Sequence, residues 1–409
     1  MSIAPSTQAP GNQDRHTASP PAFTIVLAGF CAFLDLYVTQ PLLPLLENIF
    51  HASKVSVSLT VTVSTLGVAV AAPFMGRIAD LLGRKRVIVL SAILLAVCTV
   101  LGATASGLRQ LLFWRFTQGI FTPGIFAITV AYIHEEWPEE RGASVMALYV
   151  SGTVFGGFTG RMLSGLTAEH LNWRAPFLVL GLLTALAAVA LSVWLPREKN
   201  FVRENGPASP FNLMFDHLRN RRLLATYAIG FCVLFSLLGA FTYVTFHLAA
   251  PPFNLSTTAL GSIFFVYLVG AAVTPAAGRW IDRHGRRNGL TTAIAVAIFG
   301  LLLTLVPNLW AVITGLAICS TGVFIAQAAV NSYIGIAAEH SRALAVGLYV
   351  MFYYAGGSAG ATVPGWLWNL GGWPVCVALM VAVQIATIVL ALMFWPRAEA
   401  SQRTALIAP

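Results

Sequence analysis

Charge is what this 409-residue sequence has least of. Asp and Glu together number 15, and charged residues of both signs make up 10%, against roughly a quarter in a soluble domain. With 57% hydrophobic residues, no water-soluble fold could hide the apolar surface, so the solvent of most of the chain is lipid. No G-x-x-x-x-G-K-[ST] segment occurs, which argues against ATP hydrolysis within the chain. No H-E-x-x-H occurs either, and His134, His170, His247, His284 and His340 are dispersed. Five cysteines (Cys31, Cys98, Cys232, Cys319 and Cys376) fall inside apolar stretches without metal-ligand spacing. They read as small core residues, and neither a metal nor another cofactor is expected. The first 21 residues lack the basic-then-apolar order of a signal peptide.

What is present is a series of long apolar runs, each near the twenty residues that cross a hydrocarbon core. They predict helices near 22–46, 57–79, 87–107, 109–132, 143–168 and 175–195, then 223–249, 259–280, 289–306, 309–334, 343–366 and 374–395. Residues 223–278, 288–338 and 343–396 contain no Asp, Glu, Lys or Arg. Each of these stretches is long enough for two crossings and carries an internal turn signal: Pro251-Pro252, Pro307-Asn308 and Gly371-Gly372. Half-length alternating segments of a barrel are not seen.

Net charge is +9, but the basic residues sit in short clusters between apolar runs, which argues for membrane orientation and against a nucleic-acid partner. With the amino terminus inside, 19 of the 24 basic residues fall in cytoplasmic segments and only Lys54, Arg109 and Arg174 face the other side. Both termini are therefore expected in the cytoplasm of a multi-pass inner-membrane protein. The expected layout is a disordered tail over 1–21, six helices over 22–196, a cytoplasmic linker over 197–222, six helices over 223–395 and a second tail over 396–409.

The two halves repeat. Gly76, Asp80, Gly83 and Arg84 of GRIADLLGRKR recur 202 positions later as Gly278, Asp282, Gly285 and Arg286 of GRWIDRHGRRN. Gly156, Gly157, Gly160, Gly165 and Trp173 recur 200 positions later as Gly356, Gly357, Gly360, Gly365 and Trp373. GRIADLLGRKR resembles the loop motif after helix 2 of major facilitator transporters, and its echo lies in the expected place. Arg115 in WRFTQGIF resembles that family's helix-4 arginine motif. Gly152-x-x-x-Gly156-Gly157-x-x-Gly160 is similar to the family's antiporter signature, with Gly157 where that signature has proline. SGTVFGGFTGRMLSG and LYVMFYYAGGSAG together resemble the YnfM-type branch, grouped with drug and sugar efflux permeases. The resemblance implies an all-α membrane fold, twelve helices in two six-helix bundles, with a substrate site between them near mid-membrane.

Asp35 is the one carboxylate inside an expected span, where an ionised group costs at least ~2.5 kcal/mol on insertion scales. It reads either as a proton carrier or as the structural partner of an arginine. The resemblance puts helices 1 and 4 beside one cavity, so Arg115 is expected to face Asp35, either in coupling or as a carbonyl clamp. Arg161, near the outer end of helix 5, reads as a structural residue that can snorkel. Gly76, Asp80, Gly83 and Arg84, with Asp282 and Arg286, are expected to form a conformational latch, or else an anchoring turn. The cavity wall is expected to draw on Tyr37, Gln40, Phe121, Tyr243, Gln327, Asn331, Tyr349 and Tyr353, an apolar-aromatic pocket suited to a small amphiphile. The expected function is a non-enzymatic, proton-coupled exporter of a small organic molecule, acting as a monomer. Proton symport uptake and a non-transporting sensor on the same scaffold are the alternatives.

Overall fold

The computed structural model describes residues 21–198, 217–337 and 342–396. The expected tails and most of the expected linker lie outside the described residues. The first half runs α1 (Ala22–Leu34), α2 (Leu43–Phe50), α3 (Lys54–Leu82), α4 (Arg84–Ala103), α5 (Leu108–Glu136), α6 (Glu139–His170) and α7 (Ala175–Trp194). The second runs α8 (Arg221–Ala249), then α9 (Thr257–Ser262), which continues through a short 3-10 turn into α10 (Val266–His284). It ends with α11 (Arg286–Leu303), α12 (Leu309–Ala337), α13 (Arg342–Gly371) and α14 (Trp373–Phe394). Among the described residues ten helices are long and apolar enough to cross a membrane. The expected first crossing corresponds to α1 and α2, and the expected fifth to α6, whose 32 residues span about 48 Å at 1.5 Å per residue.

The punctuation follows the turn chemistry. Asn308 caps α12, its Oδ1 accepting from the Trp310 amide at 2.9 Å, and Gly372 takes φ +63° between α13 and α14. Gly83 and Gly285 end α3 and α10 with φ of +92° and +86°. Their amides donate to Ala79 and Ile281 carbonyls at 2.9 and 2.8 Å. That left-handed backbone is open to glycine and strained for any other residue, so the repeat in sequence is a repeat in conformation.

Side chains on the outer surface are apolar and exposed, among them Leu182, Val193, Phe299 and Leu370, as a lipid-facing surface requires. Helix contacts inside each half run through glycine. Gly152, Gly156 and Gly160 of α6 lie on the Val26, Phe30 and Leu34 carbonyls of α1, and Gly356 and Gly360 of α13 lie on Phe231 and Phe235 of α8. A Cβ at any of them would collide with backbone. In lipid, where no hydrophobic force pulls helices together, this close approach supplies the van der Waals contact that does. Four of the five cysteines are buried, Cys232 is partly so, and all five are free.

One expectation fails. The span 22–46 is not a continuous helix: α1 stops at Leu34, and Asp35–Leu42 turn before α2 begins. Pro41 and Pro44 explain the break. Pro41 has no amide hydrogen to offer the Tyr37 carbonyl and its ring would clash with it, while Pro44 sits in the first turn of α2, where a helix starts rather than continues. The strand of turns instead holds three-residue bonds, Gln40 N to Tyr37 O and Leu42 N to Thr39 O, both 3.0 Å.

The two halves pack on each other along α3 and α13, from Thr62 and Thr362 to Pro73 and Gly347. We call the side holding the start of α1, the end of α7 and the start of α8 the linker face, and the opposite side the far face. Every hydrogen bond joining the halves among the described residues lies towards the far face. Gln40 Nε2 donates to Thr242 Oγ1 at 3.3 Å, and the Thr62 and Thr362 hydroxyls lie 2.6 Å apart. Thr65 meets Ser358 at 2.8 Å. The Thr258 amide donates to Glu169 Oε2 at 2.7 Å. That bond holds the exposed Glu169 carboxyl below its ordinary range. Lys54, paired with Glu47 at 2.6 Å, also lies over the rings of Phe246 and Trp368 in the second half.

Candidate functional site

Below this seal, between the halves, is a cavity of about 480 Å³. Its wall is built from the end of α1, the Asp35–Leu42 turn and α6 on one side and from α8, α10, α12 and α13 on the other. Tyr37, Gln327, Asn331 and Tyr353 line it as expected. Of its lining residues, Val150 on α6, Pro275 on α10 and Asn331 on α12 are exposed, the last two on the parts of their helices towards the linker face. No Asp or Glu lines it among the described residues; the single charged lining residue is Arg161.

Arg161 corrects the sequence reading. It is 3% exposed and does not snorkel outward. Its Nε donates to Gln40 Oε1 at 2.7 Å and its Nη1 to the Gly157 carbonyl at 2.6 Å. The guanidinium carbon sits 4.4 Å from the Tyr37 ring centroid, 4.6 Å from Phe264 and 5.3 Å from Tyr267. Rings on these sides are the environment in which a guanidinium, weakly hydrated and polarising, is held away from water. The signal was in the spacing: Val154, Gly157 and Arg161 fall at i, i+3 and i+7, one face of α6, and all three line the cavity.

Other expected wall residues serve elsewhere. Gln40 is fully buried behind Arg161 and bridges it to Thr242. Tyr243 is fully buried and donates its hydroxyl to the Ala361 and Thr362 carbonyls at 2.9 and 3.2 Å, fastening α8 to α13. Tyr349 packs against Gly230, one turn from the cavity, and Phe121 packs on the core of the first half.

Asp35 and Arg115 are both fully buried inside the first half, and neither lines the cavity. Of the two arrangements expected for Arg115, its contacts are those of the carbonyl clamp, with no ion pair to the Asp35 carboxylate among the described residues. Its Nη1 donates to the Asp35 carbonyl at 2.9 Å and its Nη2 to the Leu36 carbonyl, while Nε reaches the Thr60 carbonyl at 3.1 Å. Gln118 Oε1 takes a further bond from Nη1 at 2.5 Å, and Gln118 Nε2 donates to Thr99 Oγ1 at 2.8 Å. The break in helix 1 is the reason: it frees carbonyls at membrane depth, where each needs a donor, and the planar fork of arginine fits several at once. Ser164 caps the Val38 carbonyl in the same way at 2.6 Å. The Asp35 side chain meets α7, where Thr184 donates to Oδ2 at 2.6 Å; Oδ1 is buried without a hydrogen-bond partner.

The latch residues form a cluster at the linker face within the first half. Arg84 pairs with Asp80 at 2.8 Å and with Glu135 of α5 at 2.8 Å. Glu198 accepts from the Arg84 and Lys85 amides at 3.0 and 3.2 Å, satisfying the start of α4. Gly76 has no heavy atom near its open side. In the repeat, Arg286 donates to Ser332 at 2.8 Å; the Asp282 side chain lies outside the described residues. Gly356-Gly357-Ser358-Ala359-Gly360 spells the hydrolase pattern G-x-S-x-G, but it lies within α13. There Ser358 bonds the Tyr354 carbonyl and Thr65, so no strand-to-helix elbow exposes it.

Comparison with known proteins agrees with this architecture. The model of the Major Facilitator Superfamily matches residues 25–250 and 240–407. The inner membrane transport protein YnfM of Escherichia coli is 31% identical over 366 residues, covering 88% of each chain. The MFS-type transporter YybF of Bacillus subtilis is 32% identical over 352 residues, covering 86% of this chain and 87% of its own. Among solved structures, a bacterial homologue of the human lysosomal transporter Spinster, inward-facing and occupied, superposes with a TM-score of 0.70 at 17% identity. That match covers 91% of this chain and 94% of the other.

Proposed function

This chain belongs to the Major Facilitator Superfamily, and from that premise we propose that it exports a small organic molecule by proton-coupled antiport, its halves rocking about the central cavity. Membership makes it a membrane transporter and not an enzyme. The observation that supports the reading is the cavity itself, which lies between the halves with cross-half hydrogen bonds on its far-face side and the exposed lining residues Pro275 and Asn331 on its linker-face side. Nineteen of 24 basic residues favour the linker face as cytoplasmic, and a reporter fused after Pro396 tests that directly. The cavity then opens inward, and export begins with capture from the cytoplasm.

Asp35 is assigned the proton and Arg115 the positioning of Asp35 through its backbone. A carboxyl group sealed in this state must reach water in the other, and the turn Asp35–Leu42, hinged where helix 1 breaks, is the segment that can expose it. Asp80 and Arg84, in the loop motif at the linker face, are assigned to hold that face shut in the outward state. The test uses liposomes and a compound that raises the melting temperature of the purified protein in a screen. Asp35→Asn should still exchange that compound down its gradient and fail to concentrate it against one when a pH step is imposed. Uphill transport by the variant removes Asp35 from the mechanism.

A further inference from the structure

Two groups at the cavity, Arg161 and Tyr267, hold donors that no protein acceptor receives among the described residues. Arg161 uses Nε and Nη1 on Gln40 and Gly157, and its Nη2 makes no hydrogen bond among the described residues. The Tyr267 hydroxyl, whose ring lies beside the same guanidinium, is buried without a partner. No Asp or Glu lines the cavity among the described residues, and no salt bridge among them includes Arg161. A buried cation kept without a carboxylate carries a large desolvation cost unless another anion visits it.

We propose that the transported molecule is an organic anion, its carboxylate or like group held by Arg161 Nη2 and the Tyr267 hydroxyl and its apolar body lying against Leu234, Leu238 and Tyr353. The remainder of the wall fits that body. Phe33, Phe324, Tyr354 and Pro275 surround the space with few charges, and aromatic faces take an unsaturated or ring-bearing group. A cationic substrate finds no counter-charge here. A sugar would leave Arg161 without an anion and most of the wall apolar.

The arrangement also joins the ligand to the seam. Arg161 Nε holds Gln40, and Gln40 holds Thr242 in the second half. The Arg161 carbonyl lies against Gly261 of α9. An anion that draws on the guanidinium therefore pulls on the contacts that close the far face. This inference rests on the transport reading only in taking the cavity as the substrate site.

The test is a matched series on purified full-length protein: naphthalene-2-carboxylate, its carboxamide and the corresponding aminomethyl compound, by calorimetry. The carboxylate should bind at least tenfold tighter than the amide, because a hydrogen bond to a charged group outweighs a neutral one. Arg161→Gln should weaken the carboxylate about tenfold to hundredfold and leave the amide unchanged. Arg161→Lys should restore part of the loss. Tyr267→Phe removes a hydroxyl that has no partner in the protein, so it folds normally and should weaken the carboxylate several-fold. No carboxylate binding, equal affinity for the amide, or carboxylate affinity unchanged by Tyr267→Phe overturns the proposal. A carboxylate that binds through Arg161 but never crosses a liposome membrane overturns transport and leaves the anion site standing. An amide that crosses while the carboxylate is ignored does the reverse.

Discussion

Replacing Arg115 by methionine tests whether the arginine is a clamp for the broken helix. Methionine keeps the length and the apolar stem while removing every donor. The Thr60 carbonyl loses little, because Ser64 also donates to it at 2.9 Å. The Asp35 carbonyl keeps the Val38 amide at 3.3 Å. The Leu36 carbonyl has no other donor among the described residues, so it becomes an orphan in a fully buried site. Gln118 Oε1 loses the donor it takes from Nη1 and is orphaned as well. Each orphaned acceptor costs about 1–3 kcal/mol, and the weakened Asp35 carbonyl adds about 1 kcal/mol. The sum is roughly 3–7 kcal/mol, and at about 2–4 °C per kcal/mol for a bundle of this size the melting midpoint falls by about 6–28 °C. A thiol-reactive fluorophore reads the transition, since Cys31 and Cys98 are buried in the same half. Arg115→Lys, a point charge that reaches one carbonyl at a time, should fall between. A midpoint for Arg115→Met within a degree of the parent's refutes the clamp and returns Arg115 to a role through charge alone.

The surface pair Asp80–Arg84 is an i, i+4 contact with Asp80 about a third exposed, worth a few tenths of a kcal/mol. Asp80→Asn should therefore melt as the parent does and yet turn over several-fold more slowly in liposomes, if Asp80 makes its main contact in the outward state; equal turnover reduces the motif to an anchoring turn. The far-face bond between the Thr258 amide and Glu169 depends on pH in the carboxylate direction. Glu169 is held below its ordinary range chiefly by that bond, so the contact is present above that range and lost as pH falls through the lowered value. Labelling of a cysteine placed at Thr257 should rise at acid pH in the parent and be constant and high in Glu169→Gln; no pH dependence in the parent removes Glu169 from the seal.

What was legible in the sequence was what lipid dictates. A crossing needs about twenty apolar residues, so the spans and turns could be placed from Pro307-Asn308 or Gly371-Gly372 alone. The break after Leu34 was not, because hydropathy weighs composition and is blind to which amide hydrogens exist; Pro41 and Pro44 carried that information within an apolar run. Arg161 was misread because depth along a helix was used without azimuth. The polar residues Gln40 and Tyr243 were separated from the cavity by a different ambiguity: the seam between the halves demands the same residue types as a binding site, and only coordinates distinguish hydrogen bonds spent on the partner half from donors left for a ligand.

The internal repeat sharpens this division between scaffold and chemistry. Positions that set the backbone recur in both halves: Gly83 and Gly285 share a left-handed conformation, and Gly156 and Gly356 press on Phe30 and Phe231, equivalent residues of α1 and α8. Applying the same offset of about 200 to the ionisable groups inside the membrane gives no echo. Asp35 corresponds to Ser236, Arg115 to Leu316 and Arg161 to Ala361. Duplicated geometry is needed for two bundles that rock against each other, whereas a membrane charge costs several kcal/mol and persists only where it is used. On the proposed reading, the first half supplies the proton carrier Asp35 and the guanidinium of Arg161. The second supplies apolar wall and, through Thr242, Ser358 and Thr362, the closing surface. On this division, single substitutions among the apolar residues of the second-half wall change which apolar body is accepted, the preference for charge follows Arg161 together with Tyr267, and the response to a pH step follows the first half.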